Sequence, residues 1–336
     1  MKNNFTKRDK IFIAGASGMA GSSILRALKK KGYGSNENFE NILIPKRKDL
    51  NLLNFNEVNL WFKKNKPDIV IIAAAKVGGI LANSSHPADF LLENIKIQTN
   101  IIESSYLFGV KRLIFLGSSC IYPKFALQPI KEESLLDGEL ESTNEWYAIA
   151  KIAGIKLCEA LRIQKNFDAI SLMPTNLYGP GDNYNLKTSH VLPALIRKFV
   201  EAKERDESSV TCWGTGSALR EFMHVDDLGN AVLFILENWD PEIQRFNIKE
   251  NKYLTYLNVG TGKDITIKEL ALKIAHIVDF RGEIIWDKSK PDGTPKKQLD
   301  ISRIKSIGWE PKIELDRGIE STILTYKKER HFNKLK

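Results

Sequence analysis

The chain has 336 residues, of which 43% are hydrophobic and 27% charged. This is the balance of an ordinary globular protein with room for one large or two modest domains, and it excludes a low-complexity or disordered chain. The formal net charge of +9 fits a nucleic-acid partner only weakly: the lysines are scattered except in the tail YKKERHFNKLK, and no aromatic-basic motif accompanies them. Surface lysine and an anionic ligand account for the excess better. Three cysteines, Cys120, Cys158 and Cys212, are unclustered, which argues against a disulfide framework or a zinc site and for a reducing compartment. The start of the chain lacks an apolar stretch long enough for a signal segment, and no run approaches the about eighteen apolar residues of a membrane span. The expected location is the cytoplasm.

In chain order, IFIA (11–14) is followed by a helical pattern over about 19–31, then NILIP (41–45) and a helix near 56–64. DIVIIAAA (68–75) leads to a long helix near 87–108, RLIFLGS (112–118) to a helix around 145–164, and that helix to AISLMPTNLYG (169–179). Short, nearly continuous apolar strands alternating with helices predict a parallel sheet covered on both faces, an α/β Rossmann-type doubly wound fold. After GPGDN (179–183) the rhythm changes. TYLNVG (255–260) reads as a further strand and SKPDGTPKK (289–297) as a loop. A smaller second domain, interleaved with the first, is expected: 1–180 plus about 223–262 for the nucleotide cofactor, about 181–222 plus 263–330 for substrate.

Between the first strand and the first helix lie Gly15, Gly18 and Gly21. Glycines there permit a tight turn and bring backbone N–H groups and the helix N-terminus close to a pyrophosphate. The spacing is G-x-x-G-x-x-G rather than G-x-G-x-x-G. It is the strand before and the helix after that make it a dinucleotide site. At the end of the second strand, an acid would accept the ribose hydroxyl of NAD and an arginine the extra phosphate of NADP. Here Lys46, Arg47 and Lys48 precede Asp49, which favours NADP.

EWYAIAKIAGIKLCEAL places Tyr147 and Lys151 four apart, on one helix face. An adjacent ammonium would lower a phenol pKa of about 10, suiting Tyr147 to proton exchange with a carbonyl oxygen. Tyr-x-x-x-Lys alone is common. Preceded by a strand ending in Ser118, and downstream of a dinucleotide turn, it describes a ketone/alcohol oxidoreductase in which nicotinamide supplies the hydride. A catalytically silent NADP-binding sensor would have no need of Ser118, Tyr147 and Lys151 together.

The blocks GASGMAG, AAAKVGGI, LGSSCIYPK, TNEWYAIAKIAGIKLCE, MPTNLYGP, SHVLPAL, REFMHVDD, LNVGTG and SKPDGTP occur in the order seen in the GDP-L-fucose synthase family. That family comprises extended short-chain dehydrogenase/reductases that are also called GDP-4-keto-6-deoxy-D-mannose 3,5-epimerase-4-reductases. The resemblance spans roughly residues 10–325. It implies a Rossmann domain with a small C-terminal α/β substrate domain, a homodimer, and a role in making nucleotide sugars for surface polysaccharide. It also implies C4 reduction of a GDP-4-keto-6-deoxy sugar, with Tyr147 as proton donor. Epimerisation at C3 and C5 is assigned by the resemblance to Cys120 and His190, and both residue types exchange protons near neutral pH. On an extended segment Cys120, two residues after Ser118, would face the same pocket. Read alone, Cys120 would be a small buried hydrophobe and His190 a loop or cap residue.

The same resemblance carries cofactor contacts to Gly15, Ser17, Gly18, Met19, Gly21, Arg47, Asp49, Leu50, Leu116, Gly117, Ser119, Lys151, Pro174, Asn176, Leu177 and His190. Contacts to the GDP-sugar fall on Lys198, Trp213, Arg220 and Asp292. No metal is implied. The chain also departs from the pattern. Ser17 stands where a family member has an arginine that meets the cofactor phosphate, so selection of NADPH over NADH is expected to be weaker. The segment GPGDNYNLKTSH (179–190) is also unusual, and bacterial relatives reduce the C4 ketone of other GDP-4-keto sugars, including 6-deoxy-heptoses, sometimes leaving epimerisation to a separate enzyme. That activity is the alternative reading.

Overall fold

Buried β-branched runs set the centre of the molecule: every residue of IFIA, IVII and RLIFL is sequestered from water. Each fully buried Ile or Phe in such strands contributes roughly 1.5–3 kcal/mol. The computed structural model describes residues 5–34, 40–246 and 254–334. Its first half alternates β1 (Ile11–Ala14), α1 (Met19–Lys31), β2 (Ile42–Leu43), α2 (Phe55–Asn65), β3 (Ile69–Ile72), α3 (Ile80–Ser85), α4 (Pro87–Leu107), β4 (Arg112–Leu116), α5 (Glu145–Lys165) and β5 (Ala169–Pro174). There follow β6 (Asn176–Tyr178), α6 (Val191–Glu204), β7 (Ser209–Trp213), β8 (Leu219–His224), α7 (Val225–Asn238) and β9 (Tyr256–Val259). The chain finishes with β10 (Asp264–Thr266), α8 (Ile267–Ile277), β11 (Glu283–Asp287), β12 (Lys296–Lys297), α9 (Ser302–Ser306) and α10 (Leu315–Lys334).

Six strands form one parallel sheet in the order β2-β1-β3-β4-β5-β9. The order reverses direction at β1, so a crevice opens between the carboxyl ends of β1 and β3, where doubly wound sheets bind ligands. A second sheet is built around β8, with β6 and β12 parallel to it and β10 antiparallel, and β7 pairs with β11. Two apolar clusters correspond to these layers: the larger surrounds the six-stranded sheet, and the smaller lies among α6, α8, α10, β7 and Phe222.

The local chemistry explains the boundaries. Pro87 starts α4, Asn54 caps α2 by accepting from Glu57 N–H, and Thr266 with Glu269 forms a capping box on α8. The structure corrects three details of the sequence reading. Residues 169–179 are two strands, because Pro174 offers no N–H and the chain passes at Thr175 from the first sheet to β8 of the second. The second strand spans only Ile42–Leu43, two residues short of Pro45. The segment 289–297 is a loop only as far as Pro295, because Lys296 and Lys297 pair with β8. Among the described residues no helix is long and apolar enough to cross a membrane.

Candidate active site

The glycine turn after β1 is built for close approach. Gly15 has φ +84°, and a Cβ there would sit 2.7 Å from the backbone of Ala74, just past β3. A Cβ on Gly21 would lie 2.1 Å from the Gly15 carbonyl oxygen. Both positions therefore exclude any side chain, and the backbone is left bare at the start of α1. No side chain caps this helix and no acid occupies its first turn, so its N–H groups and dipole face an incoming anion. Ser17 lies within the turn and Arg47 follows β2, the neighbour of β1; both are exposed, and no hydrogen bond or ion pair engages either side chain among the described residues. Asp49 and Leu50 fold back on Lys46 O at 2.8 and 3.1 Å, Asp49 exposed and Leu50 in the core. The turn and Arg47 thus fit a dinucleotide carrying a phosphate on its ribose.

β4 delivers the next group. Gly117 N–H donates to Leu172 O at 2.8 Å, and a Cβ at Gly117 would meet Met173 Sδ at 2.5 Å. Ser118 is extended, and Ser119–Ile121 then form one 3-10 turn in which Cys120 N–H donates to Ser118 Oγ at 3.3 Å. The expectation of an extended segment is corrected here: Cys120 is placed beside Ser118 by the tight turn, not by strand alternation. Ser119 is buried behind them.

α5 supplies Tyr147 and Lys151. The Lys151 ammonium is buried and donates to Leu116 O at 2.7 Å, with Nζ 4.7 Å from the Phe115 ring centroid and 5.8 Å from that of Tyr147. Burial lowers its pKa to about 8. The Tyr147 phenol is pushed up, by burial first and by the neighbouring Cys120 second, with Ser118 opposing. Lys151 therefore does not make Tyr147 a ready tyrosinate, because the ammonium is committed to the Leu116 carbonyl and desolvation dominates at the phenol. A protonated Tyr147 is a proton donor.

His190 is the N-cap of α6, and its position depends on a glycine that the sequence reading did not single out. Gly79 N–H donates to Thr188 O at 2.9 Å, and a Cβ at Gly79 would lie 2.5 Å from Ser189 O. The loop 179–190 thereby seats on the segment after β3. The His190 side chain is accessible to solvent yet crowded by protein. Desolvation and, after it, the Lys297 charge lower its pKa, which favours the neutral ring. The Cys120 thiol is raised by burial, with Lys297 the largest opposing influence and Ser118 and Lys151 behind it.

Of the remaining cofactor positions, Pro174 ends β5 and Asn176 and Leu177 open β6, Asn176 Nδ2 donating to Glu221 O at 2.8 Å. The four proposed sugar-nucleotide contacts form two pairs. Lys198 of α6 stands 5.8 Å from the ring centroid of Trp213 and donates to Thr211 O at 2.7 Å. Arg220 of β8 donates to Asp292 O at 3.0 Å, and the Asp292 carboxylate accepts from Thr215 N–H and Oγ1, each at 2.8 Å. Trp213 is 46% exposed, so it is not a core tryptophan. The sequence reading missed Lys290, 5.7 Å from the Trp213 ring centroid, and Lys297. Both sit in the segment taken for a plain loop. The three cysteines are free and buried, and no metal-ligand cluster occurs among the described residues.

The fold thus leaves a helix N-terminus bare after β1, sets a hydroxyl, a thiol and a phenol where β4 ends and α5 begins, and seats the His190 loop on the segment after β3. The pattern of the NAD dependent epimerase/dehydratase family matches residues 11–248. GDP-L-fucose synthase 1 of Arabidopsis thaliana is 51% identical over 96% of this chain and 94% of its own. GDP-L-fucose synthase of Escherichia coli (strain K12) is 48% identical over 94% and 95%. The structure of a GDP-mannoheptose C4 reductase from Campylobacter jejuni with NADP bound is 39% identical, with a TM-score of 0.85 over 96% of this chain and all of that one. The chain belongs to the NAD dependent epimerase/dehydratase family and, within it, to the GDP-L-fucose synthase group of extended short-chain reductases.

Proposed function

We propose that this enzyme reduces the C4 ketone of a GDP-4-keto-6-deoxy sugar with NADPH and also inverts C3 and C5. The reading is supported by the grouping of Ser118, Cys120 and Tyr147 where β4 ends and α5 begins, and by the seating of the loop that carries His190 on the segment after β3. Gly15, Gly18 and Gly21 with Ser17 and Arg47 would hold NADPH, which supplies the hydride for C4. Ser118 and Tyr147 orient the ketone oxygen, and the protonated Tyr147 gives it the proton that balances the hydride. The ketone acidifies the C–H bonds at C3 and C5. One of Cys120 and His190 takes such a proton, and the other returns one on the opposite face. Lys198, Trp213, Arg220 and Asp292 hold the GDP-sugar, with cations for the diphosphate and Trp213 for a ring.

Residues 1–180 plus about 223–262 would form the cofactor domain and about 181–222 plus 263–330 the substrate domain. Most of the larger apolar cluster falls in the first, although Leu299, Ile301, Ile304 and Trp309 of the second join it, and most of the smaller falls in the second. A homodimer through α4 and α5 is supported by exposed Leu92, Leu107, Trp146 and Ile163 on those helices. The product would serve surface polysaccharide synthesis from the cytoplasm. A heptose C4 reductase without epimerase activity is the second reading, favoured by the likeness to the Campylobacter jejuni heptose reductase and by the unusual loop 179–190.

Purified enzyme with NADPH and GDP-4-keto-6-deoxy-mannose in deuterated water decides between them by product NMR. Deuterium at C3 and C5 supports both activities. NADPH oxidation without deuterium leaves the reductase alone, and no turnover moves the substrate to a heptose. Tyr147→Phe keeps the edge contact with Phe90 and removes only the hydroxyl, so ketone reduction is expected to fall about 10²- to 10⁴-fold. Turnover within tenfold of wild type would remove Tyr147 as the donor.

A further inference from the structure

The 3-10 turn that carries Cys120 is weakly held by its own bonds. Cys120 N–H donates to Ser118 Oγ at 3.3 Å, Ile121 N–H to Ser118 O at 3.4 Å and Tyr122 N–H to Ser119 O at 3.5 Å. Ordinary N–H···O bonds measure about 2.7–3.2 Å, and short 3-10 turns have poorer bond geometry than helices. Ser119, Cys120, Ile121 and Tyr122 are all buried, so water does not make up the deficit. The turn takes its shape from outside.

Tyr122, which closes the turn, supplies that hold. Its hydroxyl donates to Asn258 Oδ1 on β9 at 2.6 Å, across 136 residues of chain. Pro123 follows it and confines Tyr122 to the extended backbone found there, with φ −83° and ψ 150°. Asn258 is itself fixed. Its Nδ2 donates to Ile130 O at 2.9 Å and to Asp300 O at 3.1 Å, and its N–H donates to Glu132 Oε1 at 3.0 Å. With both amide hydrogens engaged the side chain has no second orientation, and Oδ1 stays aimed at the phenol. Glu132 Oε2 accepts from Arg303 Nη1 at 2.5 Å, and Glu132 O from the Tyr256 hydroxyl at 3.3 Å. Tyr122, Glu132 and Asn258 are buried, and each of their polar side-chain atoms has a partner. A buried network satisfied in this way is rigid.

We propose that Tyr122 is a positioning residue for Cys120: its hydroxyl, locked to Asn258, fixes the turn from which the thiol exchanges a proton with the sugar. The inference rests on the reading of Cys120 and His190 as the acid/base pair. In that step a proton at C3 or C5 passes to one of the pair, and the C–H electron pair moves to the ketone oxygen as an enolate. The other, having bound a proton from solvent, delivers it to the opposite face as the ketone re-forms. A displacement of about 1 Å at a reacting group costs on the order of 10²-fold in rate. Removing the Tyr122 hydroxyl allows such a displacement while leaving every proposed sugar contact in place.

The test uses the full chain as wild type, Tyr122→Phe, Tyr256→Phe and Cys120→Ser, with NADPH and GDP-4-keto-6-deoxy-mannose in deuterated water. Tyr256→Phe removes a buried hydroxyl that bonds Glu132 rather than the turn, and so carries the structural loss alone. Deuterium uptake at C3 and C5 with saturating substrate is expected to fall about tenfold or more in Tyr122→Phe, with KM little changed, and to persist in Tyr256→Phe. Alkylation of Cys120 by iodoacetamide, read by mass spectrometry of its peptide, is expected to be about tenfold faster in Tyr122→Phe as the turn opens, and unchanged in Tyr256→Phe. Normal uptake in folded Tyr122→Phe overturns the proposal, and so does an unmoved alkylation rate. An equal fall of uptake in Tyr256→Phe also overturns it, making the hydroxyl a stability contact only. If Tyr122→Phe does not fold, hydrogen exchange of the wild type decides. The Ile121 and Tyr122 amides are then expected to exchange as slowly as that of Asn258, and fast exchange beside a protected Asn258 overturns the proposal. Normal deuterium uptake in Cys120→Ser would sink the acid/base reading itself, whereas loss there with normal uptake in Tyr122→Phe sinks this inference alone.

Discussion

Gly79→Ala is expected to disable epimerisation from outside the reacting groups. The backbone at Gly79 has φ −68° and ψ −179°, open to any residue, so the effect is purely steric. The added Cβ would lie 2.5 Å from Ser189 O, whereas ordinary contact begins at 3.4 Å, so the two must separate by roughly 0.9 Å. Gly79 itself cannot give way easily. The buried Asn83 side chain donates to Gly78 O at 2.7 Å and Gly79 O at 3.1 Å, and Gly79 O also accepts from Asn83 N–H at 3.1 Å. The strain therefore falls on Ser189 and its neighbour His190. Overpacking of this kind costs about 1–3 kcal/mol of stability, and a displacement of about 1 Å at a reacting group costs on the order of 10²-fold in rate. Deuterium uptake at C3 and C5, followed by NMR alongside thermal unfolding, checks both figures. Uptake within threefold of wild type in a folded Gly79→Ala protein would refute the idea that Gly79 seats His190.

Trp213→Ala is expected to weaken GDP binding about tenfold or more, since Trp213 is an exposed ring flanked by Lys198 and Lys290; an unchanged Kd by calorimetry would return the ring to a structural role. Arg112→Met should destabilise the fold by about 3 kcal/mol in urea. Its buried guanidinium donates to Asp168 at 2.7 Å and to the carbonyls of Leu236 and Trp239 at 3.2 and 2.9 Å, while Asp168 keeps Arg162; a loss under 1 kcal/mol would contradict this. Lys151 holds its charge below about pH 8 and loses it above, so kcat/KM for NADPH should fall as pH rises through that value. A profile flat to pH 10 would show that the ammonium is not required.

The sequence by itself determined the parallel sheet, because buried β-branched runs between amphipathic helices have few other ways to cover both faces of their strands. It also determined the dinucleotide turn, since glycine spacing is a direct record of where backbones must touch: Gly15 against Ala74, Gly21 against Gly15. Ser118, Tyr147 and Lys151 were legible for the same reason, their spacing being local to one strand end and one helix. What only the tertiary structure decided depends on distant segments meeting. Ionisation is one such property: the Lys151 ammonium donates a hydrogen bond to the Leu116 carbonyl, 35 residues away, and burial rather than that lysine governs Tyr147. Position is the other. The loop carrying His190 is seated by Gly79 across more than a hundred residues, and Lys296 and Lys297, in a stretch that reads as a loop, are strand residues because they pair with β8. A side chain's neighbours along the chain fix its geometry within an element. The charge that tunes it comes from whatever the fold packs alongside.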